Sequence, residues 1–282
     1  SKMLAIDMHV HVPREPGLER SPMEQTLRDY FRLRGEPDDV EEMARKYEEL
    51  DIVGVLVSIN SETTTGEKPD SNDYIADIVR SFPKRFIGFA AIDPWQGISA
   101  VEELERSVKD LGLRGLKLHP VQQAFHPNDE QFYPLYQKCS DLKIPALFHC
   151  GMAASGAGTP GGGGLKLKYS APIPGMDDVA ADFPDLKIIM AHPGWPWIDQ
   201  QIAVALHKPN VYLDLSGWLP RYIPTQLIKE ADTRLRDKVL FGSDYPFITP
   251  DKWLEEWKEL PIRDEVRPGI LLNNAKKVLS LD

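Results

Sequence analysis

LAIDMHVHV, residues 4–12, is the first apolar run of the chain, and it carries three polar side chains of one parity: Asp7, His9 and His11. Side chains alternate along a strand, so His9 and His11 share a face, roughly 7 Å apart. Two imidazoles so placed can reach one divalent ion through bonds of ~2.0–2.1 Å. Alone, His-x-His is equally a pair of hydrogen-bonded histidines at a polar strand end. Its meaning depends on what the other strands carry.

Seven further short apolar runs rich in β-branched residues occupy residues 52–59, 86–92, 115–119, 146–150, 187–191, 211–215 and 239–242. Amphipathic stretches at helical spacing follow them, among them SNDYIADIVRSF (71–82), AVEELERSVKDL (100–111) and EQFYPLYQKCSDL (130–142). Residues 222–235 and 265–279 are patterned alike. Eight strand–helix units in unbroken alternation predict an α/β protein whose parallel sheet closes into a (β/α)8 TIM barrel. An open doubly wound sheet, the second choice, normally uses fewer strands. No repeat or linker divides residues 1–282, which read as one domain. Two connections are too long for a bare βα loop: residues 13–38 after strand 1 and 151–175 after strand 5. Loops that follow barrel strands build the active-site face, so both are expected to cover the site.

The chain has 282 residues and a formal net charge of -10, which argues against nucleic acid or an anionic membrane as the main partner. A small-molecule substrate is expected, and a homodimer is compatible with these properties. No apolar run is long enough to span a bilayer. The first residues lack the basic and apolar regions of a signal peptide. The two cysteines, Cys139 and Cys150, suggest no disulfide framework and fit a reducing compartment, so the expected location is cytoplasmic.

The other strand ends repeat the chemistry of the first. Strand 4 ends GLKLHP with Lys117 and His119, strand 5 ends ALFHCG with His149, strand 6 ends IIMAHPG with His192, and strand 8 ends LFGSDYP with Asp244. Five of the seven histidines thus fall at strand C-termini. Imidazoles and a carboxylate from separate strands are what a catalytic divalent ion needs, with a position left open.

With these motifs the chain resembles the amidohydrolase superfamily, in the amidohydrolase-2 branch of aminocarboxymuconate-semialdehyde and resorcylate decarboxylases. The resemblance runs from DMHVH to LLNNAKKVL and includes, in order, KLHP, FHCG, AHPGWPW, NVYLDLSG and LFGSDYPF. It implies that His9, His11, His149 and Asp244 ligate one metal, usually zinc. His192 would then orient or deprotonate the activated water. Several decarboxylases of the branch have Glu where this chain has His9. Binuclear members of the superfamily bridge two metals with a carboxylated lysine from strand 4, the position of Lys117. The other reading of Lys117, an ammonium that holds a substrate carboxylate, goes with one ion and is preferred. His119, before Pro120, is expected beside the ligands rather than among them.

Near the mouth, Arg221 is the expected carboxylate anchor. Trp195 and Trp218 are expected substrate contacts, with Trp197 and Arg14 as further candidates. Lys166 and Lys168 could grip an extended anion. Trp253 and Trp257 read as packing, and Cys150, pointing opposite to His149, as a buried thiol. GAGTPG, residues 156–161, fits G-x-G-x-x-G, but Pro160 and the glycines after it open no helix, so no dinucleotide site is expected. The primary expectation is a metal-dependent hydrolase in which an activated water attacks a small carboxylated carbonyl compound such as a lactone, an amide or a β-keto acyl species. His192 or Asp244 would take the proton. The alternative is non-oxidative decarboxylation or hydration of an aromatic or unsaturated acid on the same metal.

Overall fold

The computed structural model describes residues 3–282. Its parallel strands are β1 (Ala5–His11), β2 (Ile52–Val57), β3 (Phe86–Gly88), β4 (Ala90–Ala91), β5 (Leu116–Leu118), β6 (Ala146–His149), β7 (Ile188–Ala191), β8 (Val211–Asp214) and β9 (Val239–Leu240). They pair in the order β1-β2-β3 and β4 through β9. β3 and β4 are one barrel strand interrupted at Phe89, whose N–H still donates to Leu56 O at 3.0 Å. The Phe89 ring needs room: a Cβ on Gly115 would fall 2.5 Å from it. The barrel closes where the segment after β9 meets β1. Met8 N–H donates to Phe241 O at 3.0 Å, Asp244 N–H to His9 O at 2.9 Å, and His11 N–H to Tyr245 O at 2.8 Å. The fold is a (β/α)8 barrel, with strands a few residues shorter than the apolar runs.

Side chains alternate between two packed layers. Inside the barrel, Ile6, Met8, Val55, Leu147, Ile189 and Leu240 form one cluster with Phe89, joined by Ala275 and Val278 of the C-terminal helix. Outside it, Val10, Leu56, Leu116, Phe148, Ile188 and Leu213 pack against the surrounding helices. β1 does not keep one parity throughout. Its register against β2 shifts between Asp7 and Val10. Such a bulge re-aims the side chains beyond it. Asp7 therefore faces outward, away from the two histidines that share its parity in the sequence. There it accepts from Tyr47 Oη of helix Val40–Glu49 at 2.8 Å and from Ser243 N–H at 2.8 Å. Burial raises its pKa to about 6 despite those bonds.

Both long connections carry structure. Residues 13–38 contain helix Pro22–Tyr30, started by Ser21, whose side chain accepts from Glu24 N–H, and by proline at the first helical position. After β6, two short 3₁₀ turns, Pro160–Gly164 and Leu167–Ser170, precede helix Pro172–Asp182. That connection therefore ends earlier than residue 175. Gly156 N–H donates to Thr26 Oγ1 at 2.9 Å, which ties the two connections together.

Candidate metal centre and active site

The bulge that turns Asp7 outward sends His9 and His11 into the barrel mouth. His11 Nε2 lies 2.8 Å from Asp244 Oδ1, and His9 Nε2 lies 3.5 Å from the same oxygen. Two donors bound tetrahedrally to one ion at ~2.1 Å stand about 3.4 Å apart. The set His9, His11 and Asp244, with ligand atoms all within 4.8 Å of one another, therefore fits a shared divalent cation. Its makeup of two imidazoles and one carboxylate also suits one. His149 is outside this set. Its Nε2 sits 3.1 Å from Gly151 O, and its ring is 5.0 Å from that of His192, centroid to centroid. His192 in turn lies 4.7 Å from the His9 ring. The four imidazoles share one mouth, but the expected fourth ligand is turned toward its own loop.

A second set, His9, His192 and Asp214, also has its donor atoms within 4.8 Å. Hydrogen bonds hold this one together. Asp214 Oδ2 is 3.4 Å from His9 Nδ1, and Asp214 Oδ1 accepts from the N–H groups of His192 and Ser216 at 3.1 and 2.9 Å. Asp214 is fully buried and does not line the cavity. Asp214 is not among the ligands and substrate contacts expected from sequence. The rule that found His149 and Asp244, a polar residue at a strand C-terminus, applies equally to Asp214 in NVYLDLSG.

Burial dominates the electrostatics. It holds the imidazoles of His9, His119 and His149 well below the ordinary histidine value. Neutral imidazole is the form that binds metal. Burial also lowers the Lys117 ammonium to about 8, against the attraction of Asp214 and Asp244. For Asp244 burial pushes upward, but the hydrogen bond and charge of His11, aided by His192 and His9, prevail and hold the carboxyl below its usual value. Lys117 Nζ is 3.4 Å from His9 Nε2. His119 stacks on His149 at 4.0 Å with rings 9° apart, and its Nδ1 accepts from Gln122 N–H at 3.1 Å. Backbone strain gathers here as well: His192 and Asp244 both have positive φ, 76° and 81°. Such conformations cost non-glycine residues of order 1–3 kcal/mol and cluster at functional sites.

The mouth opens into a cavity of about 640 Å³. His9, His11, Lys117, His149, His192 and Asp244 form its floor. Leu27, Phe31, Met152, Trp218 and Phe247 supply much of its apolar wall, so both long connections and the segment after β9 enclose it. Trp218, an expected substrate contact, lines the cavity. The other expected contacts lie away from this wall. Arg221 is 61% exposed and pairs with Glu256 through Nε and Nη2 at 3.1 and 2.7 Å, so its fork is spent outside the cavity. Among the described residues, the lysines and arginines that line the cavity are Lys117 and Lys252. Trp195 is 48% exposed and turned from the wall, and Trp197 precedes helix Ile198–His207. Arg14 Nε donates to Glu19 O at 3.1 Å in a neighbouring cavity under residues 13–38. Lys166 and Lys168 are exposed, Lys168 lying over the Tyr169 ring. Trp253 and Trp257 are buried and stacked, and Cys150 packs in the outer layer, both as expected.

A parallel (β/α)8 barrel with a carboxylate–imidazole cluster at the C-terminal ends of its strands has the layout of a barrel enzyme. The family is settled by sequence: the amidohydrolase profile matches residues 6–281, and the chain belongs to that family. It is 26% identical over 240 residues to 2-amino-3-carboxymuconate-6-semialdehyde decarboxylase of Dictyostelium discoideum, covering 75% of this chain and 66% of that one. It is 32% identical over 242 residues to 2-keto-4-carboxy-3-hexenedioate hydratase of Sphingobium, covering 73% of this chain and 69% of the relative. An uncharacterised TIM-barrel protein of Bordetella bronchiseptica superimposes with a TM-score of 0.82 at 28% identity over 98% of each chain. A dihydroxybenzoic acid decarboxylase of Polaromonas, solved with manganese and 2-nitroresorcinol, has the same fold, with a TM-score of 0.67 at 21% identity over 98% of this chain and 96% of that one. The named relatives are decarboxylases and a hydratase.

Proposed function

We propose that this protein is a divalent-metal-dependent lyase that removes CO2, without oxidation, from a small aromatic or unsaturated carboxylic acid. The observation that carries the reading is the composition of the cavity. One largely apolar chamber of about 640 Å³ ends on a cation-binding set, with Lys117 and His192 beside it. His9, His11 and Asp244 would hold the ion, with His149 swinging from Gly151 O to join them. When bound, the ion supplies a Lewis acid that grips substrate oxygens and stabilises negative charge. One ion is favoured, because in the second donor set Asp214 Oδ1 already accepts from two N–H groups and Oδ2 faces His9 Nδ1.

This chain's own residues do the rest. The Lys117 ammonium draws a carboxylate or phenolate to the cavity floor. Leu27, Phe31, Trp218 and Phe247 hold the apolar body and exclude water. His192, doubly protonated with its Nδ1–H held by Ser216, delivers the Nε2 proton to the carbon that bears the leaving carboxylate and is left as the neutral ring. The bond from that carbon to the carboxylate then breaks, its electron pair restores the unsaturation, and CO2 departs. A second reading, hydration of an unsaturated acid, is favoured by one observation: the 32% identical relative is a hydratase. It uses the same acid–base residue.

The test is to load the protein with Mn²⁺ or Zn²⁺ and offer 2,6-dihydroxybenzoate, 5-carboxyvanillate, unsaturated dicarboxylates, carboxylated lactones and β-keto thioesters. CO2 release from an acid of the first three kinds is expected. Turnover confined to the lactones or thioesters, with no CO2, would restore hydrolysis as the activity.

A further inference from the structure

We propose that Asp214 is the positioning residue of this mouth, holding the His9 proton on Nδ1 and, through Ser216, the His192 proton on Nδ1. The proposal rests on the reading of His9 as a metal ligand and His192 as the proton carrier. Asp214 ends β8, where the cavity cannot reach it, so it acts only through its neighbours.

For His9 two observations demand the same tautomer. Nδ1 faces Asp214 Oδ2 at 3.4 Å, and a carboxylate can only accept. Nε2 faces Lys117 Nζ at 3.4 Å, and an ammonium can only donate. These two hydrogen bonds place the proton on Nδ1 against the longer 3.5 Å approach of the Asp244 Oδ1 acceptor to Nε2, and they leave the Nε2 lone pair for a cation held with Asp244. This is the carboxylate–histidine–metal arrangement in which the outer carboxylate orients the ring and raises its basicity.

For His192 the same carboxylate acts at one remove. The Ser216 hydroxyl donates to Asp214 Oδ1. With its proton spent there, Ser216 Oγ has only lone pairs for His192 Nδ1, 2.8 Å away. The Ser216 carbonyl, 3.0 Å from the same nitrogen, also accepts. Nδ1 must carry the proton, which leaves Nε2 bare. The chain passes close beneath this contact because residue 217 is glycine: a Cβ there would stand 2.7 Å from His192 Nδ1.

Asparagine at 214 separates positioning from packing. Its oxygen can keep the N–H bonds of His192 and Ser216, which turns its amide NH2 toward His9 Nδ1. That donor forces the His9 proton onto Nε2, the atom that should bind the metal. The experiment compares chelator-treated wild type and Asp214→Asn, both labelled with 15N-histidine. Imidazole tautomers are read by NMR, with assignments from His9→Gln and His192→Gln. Mn²⁺ affinity is measured by calorimetry on the unlabelled proteins. In the wild type both histidines should carry the proton on Nδ1. In Asp214→Asn, His9 should switch to Nε2–H and Mn²⁺ affinity should fall roughly 10–100-fold, the range for a lost outer partner. Wild-type His9 protonated on Nε2 overturns the proposal even if no variant folds. So does an Asp214→Asn protein that binds Mn²⁺ as the wild type does. Failure of the wild type to bind Mn²⁺ would instead sink the metal reading, with the tautomers still deciding the role of Asp214.

Discussion

The two ends of the barrel interior are built from the same strands and have opposite characters. At the lower end Ile6, Met8, Val55, Leu147 and Ile189 form a closed apolar plug, all but inaccessible to water. Beyond it, at the C-terminal ends of these strands and just after them, stand His9, His11, His149 and His192, with Asp214 and Asp244 between them. Only ~7 Å separates successive inward residues of a strand. Over that distance the interior changes from a packing problem to an electrostatic one. The plug stabilises through burial, while the mouth carries strained φ values and imidazoles that burial keeps neutral. Stability and chemistry occupy different layers, so substitutions in the two layers should have separable effects.

The largest separation is expected from His192→Asn. Turnover should fall by roughly 10²–10⁴, the loss typical of a missing acid–base group, while metal content is retained. Metal lost in step with activity would make His192 a ligand, and near-normal turnover would remove it from the mechanism. The converse probe is Leu147→Ala in the plug. Deleting a buried leucine side chain costs about 2–5 kcal/mol of stability, and metal binding by the folded protein should be unchanged. Weakened metal binding without loss of stability would show that the layers are not separate.

A smaller effect follows from pH. In chelator-treated protein, His9, His119 and His149 titrate well below the ordinary 6.5. As pH falls through 6.5, the unfolded chain takes up protons that these buried rings refuse. Stability therefore drops, each ring contributing up to about 1.4 kcal/mol per pH unit. Asp7 works the other way. Its carboxyl, raised to about 6, binds a proton in the folded state that the unfolded chain takes only near 3.8, so it adds stability as pH falls through 6. Three rings outweigh one carboxyl, so the urea midpoint should fall between pH 7 and 5.5. A midpoint that holds or rises would mean that the rings are protonated in place. The smallest effect belongs to Arg221→Ala. Its guanidinium pairs with Glu256 on the surface, so kcat/KM should stay within about twofold of wild type. A tenfold rise in KM would return Arg221 to the site.

What the sequence made legible, and what it hid, follows the same division. Periodicity depends on neighbours along the chain, and it revealed the strands, the helices that follow them and the polar residues at strand ends. Parity failed in β1, because the bulge between Asp7 and Val10 comes from pairing with β2 and leaves no mark in LAIDMHVHV. Arg221 misled for a similar reason. Its partner Glu256 lies 35 residues away in helix Pro250–Trp257, a pairing that folding creates and composition does not announce. Asp214 was visible as a strand-end carboxylate, but its role required the distances to His9 and Ser216.

The most direct test of the account is a crystal of this protein soaked in Mn²⁺ and measured at the manganese edge. The account predicts one strong anomalous peak at the barrel mouth, within about 2.0–2.3 Å of His9 Nε2, His11 Nε2 and Asp244 Oδ1. A saturated crystal with no peak there, or with its peak between His192 and Asp214 instead, would contradict it.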